Sequence, residues 1–284
     1  MGKNRMGFLI RQMQLSDLEV AVSWAAQEGW NPGLYDVNSF YQTDPNGFFI
    51  GELDGRPVSC ISAVAYGETF GFIGFYIVHP EFRGQGYGWQ TWQQGMNYLG
   101  DRNIGLDGVI AQQQNYCKSG FSLAYRNIRF QGALPQFPTN SNHLLKASEV
   151  SFNQLLTFDA CFFPVPRPSF LQAWISQPGS IALVSCGEET LLGYGVIRPC
   201  QVGWKIGPLF ALNESTADEL FRSLTAHTSG EPCFLDVPEP NSAALNLART
   251  YAMTPVFETA RMYTKTPPDC QMDGIFGVTT FELG

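Results

Sequence analysis

The chain has 284 residues, enough for two domains at about 100–200 residues each. Hydrophobic residues make up 44% and charged residues only 15%, which supports a sizeable core and excludes a disordered chain. Against 25 Asp and Glu stand 17 Lys and Arg, a net charge of −8, which argues against a dedicated nucleic-acid binder because phosphate neutralisation needs clustered basic residues.

The first half alternates strand-like and helical stretches. Phe8 to Gln12 reads as a strand, and Ser16 with Glu19 three residues on reads as a capping box opening a helix to about Gln27. Phe48 to Leu53 is a strand, Asp54-Gly55 a hairpin turn, and Val58 to Ala65 and Phe70 to Val78 are strands split by a turn at Gly67. After Gly84 the period changes: Trp89, Trp92, Met96 and Leu99 recur on one helical face. Leu106 to Ala111 and Leu123 to Phe130 are again strand-like.

Residues 132–142 are polar and proline-rich and read as a linker between domains at 1–131 and 143–284. The second half repeats the alternation. Helices are expected near Ser151–Asp159 and Pro168–Ser176, then strands at Ser180–Ser185, Leu191–Ile197 and Val202–Ile206. An amphipathic helix carries Ala217, Leu220, Phe221 and Leu224; a strand at Phe234–Val237, a helix at Ser242–Ala252 and a strand at Val256–Tyr263 follow. The order points to tandem α+β domains of one fold.

Seven scattered cysteines with no C-x-x-C pair make zinc and a disulfide framework poor readings, and buried free thiols in a reducing cytoplasm the simple one. The N-terminal apolar run is too short for a signal peptide, and Met6 stands where a myristoylation signal needs Ser or Thr. No 18-residue apolar stretch predicts a membrane span.

The informative segment runs from strand Phe70–Val78 through His79-Pro80-Glu81-Phe82 and Arg83-Gly84-Gln85-Gly86-Tyr87-Gly88 into a helix. A helix start leaves backbone N–H groups unpaired and partly positive, glycines let an anion approach them, and Arg83 adds a permanent charge. Such a turn suits a pyrophosphate. A Walker A loop would need Gly-Lys-Ser/Thr, and a dinucleotide fingerprint would need G-x-G-x-x-G; neither is present. An R-x-x-G-x-G run after a strand ending in Val-x-Pro and before an amphipathic helix resembles the GNAT superfamily of N-acetyltransferases. The resemblance covers roughly residues 8 to 131.

The resemblance implies that Arg83, Gly84, Gln85, Gly86, Tyr87 and Gly88 hold the pyrophosphate of acetyl-CoA, and that Ile77 and Val78 offer backbone groups to its pantetheine arm and to the oxyanion. Gly71 and Gly74 either open room for substrate or mark a bulge. Tyr116-Cys117-Lys118-Ser119-Gly120-Phe121 resembles the family's Tyr-x-x-x-Gly-Phe segment, which makes Tyr116 the general acid for the departing thiolate. With a free thiol near about 8.5 and a tyrosine near about 10, that proton transfer is roughly balanced. Cys117 lacks an activating neighbour, and His79 reads as a strand-end residue rather than a base. Where many members carry Asn, seven residues before the tyrosine, this chain has Val109; Asn115 or the Gln112–Gln114 run stands in. The strand before the loop bears no carboxylate, so Glu68 just ahead of it is the candidate base, with a water chain as the alternative.

The second half has lost the loop. Ala211-Leu212-Asn213-Glu214-Ser215 lacks the arginine and glycines and puts Glu214 and Asp218 at a helix start, where carboxylates cap the helix and repel a pyrophosphate. Asn241, Ala244 and Leu247 match the family's Asn-x-x-Ala-x-x-Leu run, but Ala248 replaces the tyrosine. The run Phe162-Phe163-Pro164-Val165-Pro166-Arg167 reads as a packed corner, with a cleft wall as the other reading. The expectation is a tandem GNAT protein whose first domain acetylates a small-molecule amine from acetyl-CoA without a metal, and whose second domain does not bind CoA and offers a wall to the substrate cleft. The alternative is a non-catalytic acyl-CoA-binding or scaffold protein.

Overall fold

The computed structural model describes residues 7–135, 137, 144–188 and 190–284. The N-terminal Met-Gly and Met6 readings lie outside the described residues, as does most of the expected linker.

In the first half, β1 (Phe8–Gln12) leads to α1 (Leu15–Gln27) and α2 (Asp36–Thr43). Then come β2 (Phe48–Leu53), β3 (Arg56–Tyr66), β4 (Phe70–Val78), α3 (Tyr87–Leu99), β5 (Asn103–Val109), α4 (Gln113–Lys118) and β6 (Ser122–Ala133). Apolar Leu18, Ala21, Val22 and Ala25 form the buried stripe of α1, at the spacing of one helical face. The cap differs from the expected Ser16–Glu19 box: Gln14 is the N-cap, and its amide donates to Asp17 Oδ2 at 2.8 Å. Asp17 is also tied to Arg11 at 2.6 Å, and the helix starts two residues earlier than the Ser16 box implies. Asp54 and Gly55 both adopt positive φ, as a two-residue hairpin demands. On α3 the buried face is Gly88, Thr91, Trp92, Gly95 and Leu99, while Trp89 is exposed, so the tryptophan pair does not share a face.

The second half contributes β7 (Leu144–Lys146), α5 (Phe152–Asp159), α6 (Pro168–Trp174), β8 (Ile181–Cys186), β9 (Leu191–Pro199) and β10 (Trp204–Ala211). It continues with α7 (Glu214–Thr225), β11 (Pro232–Pro238), α8 (Ser242–Thr250), β12 (Thr254–Tyr263) and β13 (Ile275–Gly277). Asn213 and Asn241 cap α7 and α8 by accepting from the amides of Thr216 and Ala244. The aromatic corner is packed: Phe162 and Phe163 are buried, and Arg167 pairs with Asp159 at 2.9 Å under the Phe163 ring.

All these strands join in one mixed, mostly antiparallel sheet. Its order is β1-β2-β3-β4-β5-β12-β6-β11-β10-β9-β8-β7, with β13 paired to β10 off that path. The halves therefore exchange strands: β12 inserts between β5 and β6, and β6 in turn lies between β12 and β11. Gly132 and Ala133 end β6 rather than start a linker, and the sheet itself does not divide at that place. Asn127 on β6 and Thr259 on β12 face each other at the middle of the exchange. Each half also has one parallel pair, β4 with β5 and β10 with β11.

Other contacts bind the halves. Arg198 on β9, stacked on Trp174, donates to Asp36 of α2 at 2.9 Å, all three fully buried. The segment after β13 threads into the first half: the Tyr66 hydroxyl donates to Leu283 O at 2.9 Å. Three of the seven cysteines are buried and Cys117 is exposed, so burial accounts for only part of the free-thiol pattern. No helix among the described residues is long and apolar enough to cross a membrane.

Candidate functional site

Strands β4 and β5 pair in parallel from Phe70–Asn103 to Ile73–Leu106 and then part. Two features drive them apart. Phe75 adopts a left-handed backbone (φ 45°) beside a register shift between β3 and β4, a bulge that bends β4 away. Meanwhile β5 stays bound on its other side to β12 as far as Val109–Thr259. The splay opens a cavity of about 390 Å³, lined among others by Gly74, Phe75, Tyr76, Ile77, Val78, Asp107, Val109, Gln112 and Tyr116.

Arg83 lies at the end of this cavity, where β4 leads into α3. Gly84 (φ 76°) and Gly86 (φ 87°) take conformations that favour glycine, and Gly86 is the N-cap of α3. The third glycine serves packing: a Cβ on Gly88 would meet Val78 at 2.6 Å and the Tyr76 hydroxyl at 2.8 Å. The Tyr87 ring packs on Phe8, 4.7 Å between centroids, and the Gln85 amide donates to Glu81 O at 3.0 Å, so both side chains brace the loop. Arg83 Nε donates to Val78 O at 2.9 Å, while its Nη2 pairs with Glu28 just beyond α1. The cationic residue expected at the pyrophosphate thus has a carboxylate partner in the fold.

Tyr116 lines the same cavity, stacked near Trp92 with centroids 5.6 Å apart. A Cβ on Gly108 would strike its ring at 2.3 Å, so this glycine makes its space. Burial, aided by Tyr76, pushes the Tyr116 phenol up to about 12. Val109, at the family's Asn position, and Gln112, one of the stand-ins, both line the cavity; Asn115 is exposed, is not part of this lining, and donates to Gln112 Oε1 at 2.7 Å. Glu68 sits exposed in the β3–β4 turn, at the far end of β4 from the splay, and is not part of the lining. Gly71 and Gly74 open no room for a ligand: their space is taken by Leu99 and by the backbone of Glu282.

The second half supplies lining residues that sequence reasoning missed: Phe257 and Thr259 from β12, and Phe281 and Glu282 beyond β13. Trp30 and Glu28 come from the segment after α1. Behind them Asp107 receives Arg261 in a two-pronged pair at 2.9 and 2.6 Å, and Asn127 at 2.7 Å. Burial nevertheless raises the Asp107 carboxyl above the ordinary range, against the pull of Arg261. No local pattern marks Phe257, Thr259, Phe281 and Glu282, because they come in from the other half.

The equivalent splay in the second half is filled. Pairing of β10 with β11 ends at Ile206–Leu235, and β13 then pairs with β10 at Leu209–Gly277 and Phe210–Ile275. A Cβ on Gly277 would meet Leu235 of β11 at 2.7 Å, so the chain itself lies in that opening.

Comparison with known proteins follows the same division. Residues 15–117 match the Acetyltransferase (GNAT) family, and residues 155–277 match an Acetyltransferase (GNAT) domain. The chain is a tandem GNAT-fold protein. Among solved structures, this tandem GNAT chain is similar to a putative acetyltransferase from Pyrococcus horikoshii, with TM-score 0.83 at 21% identity, covering 100% of this chain and 98% of the other. It is also similar to a tandem GNAT protein from the clavulanic acid biosynthesis pathway, with TM-score 0.64 at 11% identity, over 92% and 99%. Both likenesses concern the fold. In sequence it is 29% identical over 271 residues to a holothin acyltransferase from a Pseudoalteromonas strain, spanning 95% of this chain and 92% of that relative.

Proposed function

We propose that the protein is an acyl-CoA-dependent N-acyltransferase that transfers acetyl to the amine of a small molecule. The observation that carries this reading is one cavity joining three parts. They are the β4–β5 splay, Arg83 at the head of the positive-φ loop, and Tyr116. The residues present fit the cosubstrate: the amides at the start of α3 with Arg83 take the diphosphate, and the edge of β4 that β5 leaves unpaired, at Ile77 and Val78, takes the pantetheine arm. The holothin acyltransferase, by its name an acyl transferase, supports the same class.

Holding both reactants in one cleft supplies much of the rate gain. Backbone N–H near Ile77 and Val78 meets the developing oxyanion. Tyr116 gives its proton to the departing sulfur. With the phenol at about 12, the gap to a free thiol near about 8.5 is wider than an unperturbed tyrosine gives. The thiolate leaves into the same desolvated space, which raises its proton affinity as well. The second domain does not bind CoA in this reading, because β13 occupies its splay and Glu214 stands at the start of α7.

Thiol release from acetyl-CoA with a pooled primary-amine library tests the proposal. Amine-dependent release is expected. Acetyl-CoA binding without release from any amine would favour a binding module instead.

A further inference from the structure

Three carboxylates line the cavity, and one of them, Glu282, stands outside any ion pair among the described residues, although the buried cations Arg129, Arg198 and Lys205 act on it electrostatically. Asp107 is taken up by Arg261 and Asn127, with the Thr259 hydroxyl at 3.4 Å, and Glu28 by Arg83. Glu282 is 3% exposed and forms no ion pair among the described residues. Its Oε2 accepts from the Thr280 hydroxyl at 2.6 Å, and the same hydroxyl oxygen accepts from the Glu282 amide at 2.8 Å, so the carboxylate is held in place. Its Oε1 has no donor among the described residues. Glu282 is one of the residues that line the cavity.

Its placement has a backbone cause. Gly74 is the first β4 residue past the last β4–β5 pair, and a Cβ there would lie 2.0 Å from Glu282 O. The segment that fills the second splay thus runs on to set a carboxylate at the point where the first splay opens. Phe281, Phe257 and Trp30 line the same cavity, with the buried Arg129 guanidinium over the Phe281 and Phe257 rings at 4.8 and 5.8 Å.

We propose that Glu282 receives the amine of the acceptor and takes its proton, and that the acceptor is a primary amine on a flat apolar body held by Trp30, Phe257 and Phe281. This rests on the acyltransferase reading. The bound ammonium first gives one proton to Glu282, which passes it on to solvent. The neutral amine nitrogen then gives its electron pair to the thioester carbonyl carbon. The C–S bond breaks, and sulfur leaves with the pair and takes the Tyr116 proton. The second nitrogen proton returns to Tyr116 through solvent, leaving an amide, a free thiol and one proton released. An alkylammonium near about 10.4 must lose its proton before it attacks, so the carboxylate matters most for strongly basic amines.

The test uses the full chain with acetyl-CoA and three probes: phenethylamine, methylamine and aniline. Wild type is expected to use phenethylamine with a KM at least tenfold below that of methylamine. Glu282→Gln is expected to lower kcat/KM for phenethylamine at least 100-fold, to cost less than tenfold for weakly basic aniline, and to keep the acetyl-CoA Kd within twofold. Glu282→Asp, which keeps the charge, recovers part of the loss and serves if the glutamine variant does not fold. Equal losses for both aromatic amines, wild-type rates in Glu282→Gln, or no phenethylamine turnover by a wild type that binds acetyl-CoA would each overturn the proposal. Failure of wild type to bind acetyl-CoA would instead defeat the acyltransferase reading.

Discussion

Arg261 on β12 lies directly across the sheet from Asp107 on β5, and the two form a two-pronged ion pair at 2.9 and 2.6 Å. The other half repeats the relationship. Arg129 on β6 faces Asp236 on β11 in register, with bonds of 2.6 and 2.7 Å. Each domain's fifth-strand aspartate therefore takes its arginine from the strand that the other half inserts. The environments differ. Burial pushes Asp236 up, but Arg129, with Lys205 and Arg198 nearby, outweighs it and holds the carboxyl below the ordinary range. Asp107 has Arg261 alone for a cation, and burial wins.

Removing one member of such a pair leaves an unpaired buried charge. Arg261→Met is expected to destabilise the protein by about 3–5 kcal/mol, read from chemical or thermal unfolding. Loss of stability below about 1 kcal/mol would mean that the exchanged strand is not held by this pair.

The Arg83–Glu28 pair competes with the diphosphate for the same guanidinium. Both side chains are partly exposed, so the pair is worth at most about 1 kcal/mol. Glu28→Gln is expected to tighten CoA binding about twofold to fivefold in calorimetry, and weaker binding would show that Glu28 positions Arg83 instead.

Tyr116→Phe is expected to lower kcat about 100-fold or more with the CoA Kd unchanged. A mutant with wild-type turnover would remove Tyr116 from the chemistry. Its pH behaviour is a separate check. The phenol sits at about 12 in the folded chain, above the ordinary 10, so the unfolded chain loses this proton first. The stability it contributes is full below pH 10 and is lost as pH climbs from about 10 to about 12. Urea unfolding of the Phe variant across that window should show a shallower decline than wild type.

Much of the first half was legible from the sequence. Phe70–Val78, the glycine turn and the helix after it came from alternation, turn residues and helical period, all local signals. The 15–117 family match and the fold agree with that reading. What stayed hidden depends on distant pairing. The helix Asp36–Thr43 has a short, mostly polar sequence and is held by the buried Asp36–Arg198 pair. Strand exchange through β12, the filling of the second splay by β13, and Glu282 beside Gly74 have no local signature, because the partners lie in opposite halves. Glu68 is next to β4 in sequence, but the length of the strand carries it away from the cavity.

The most direct test of the account is calorimetric titration of CoA into wild type and Arg83→Glu. One site per chain is expected in wild type, with Kd raised at least tenfold in the variant. Two sites per chain, or an unchanged Kd in Arg83→Glu, would contradict the placement of the diphosphate at the loop before α3.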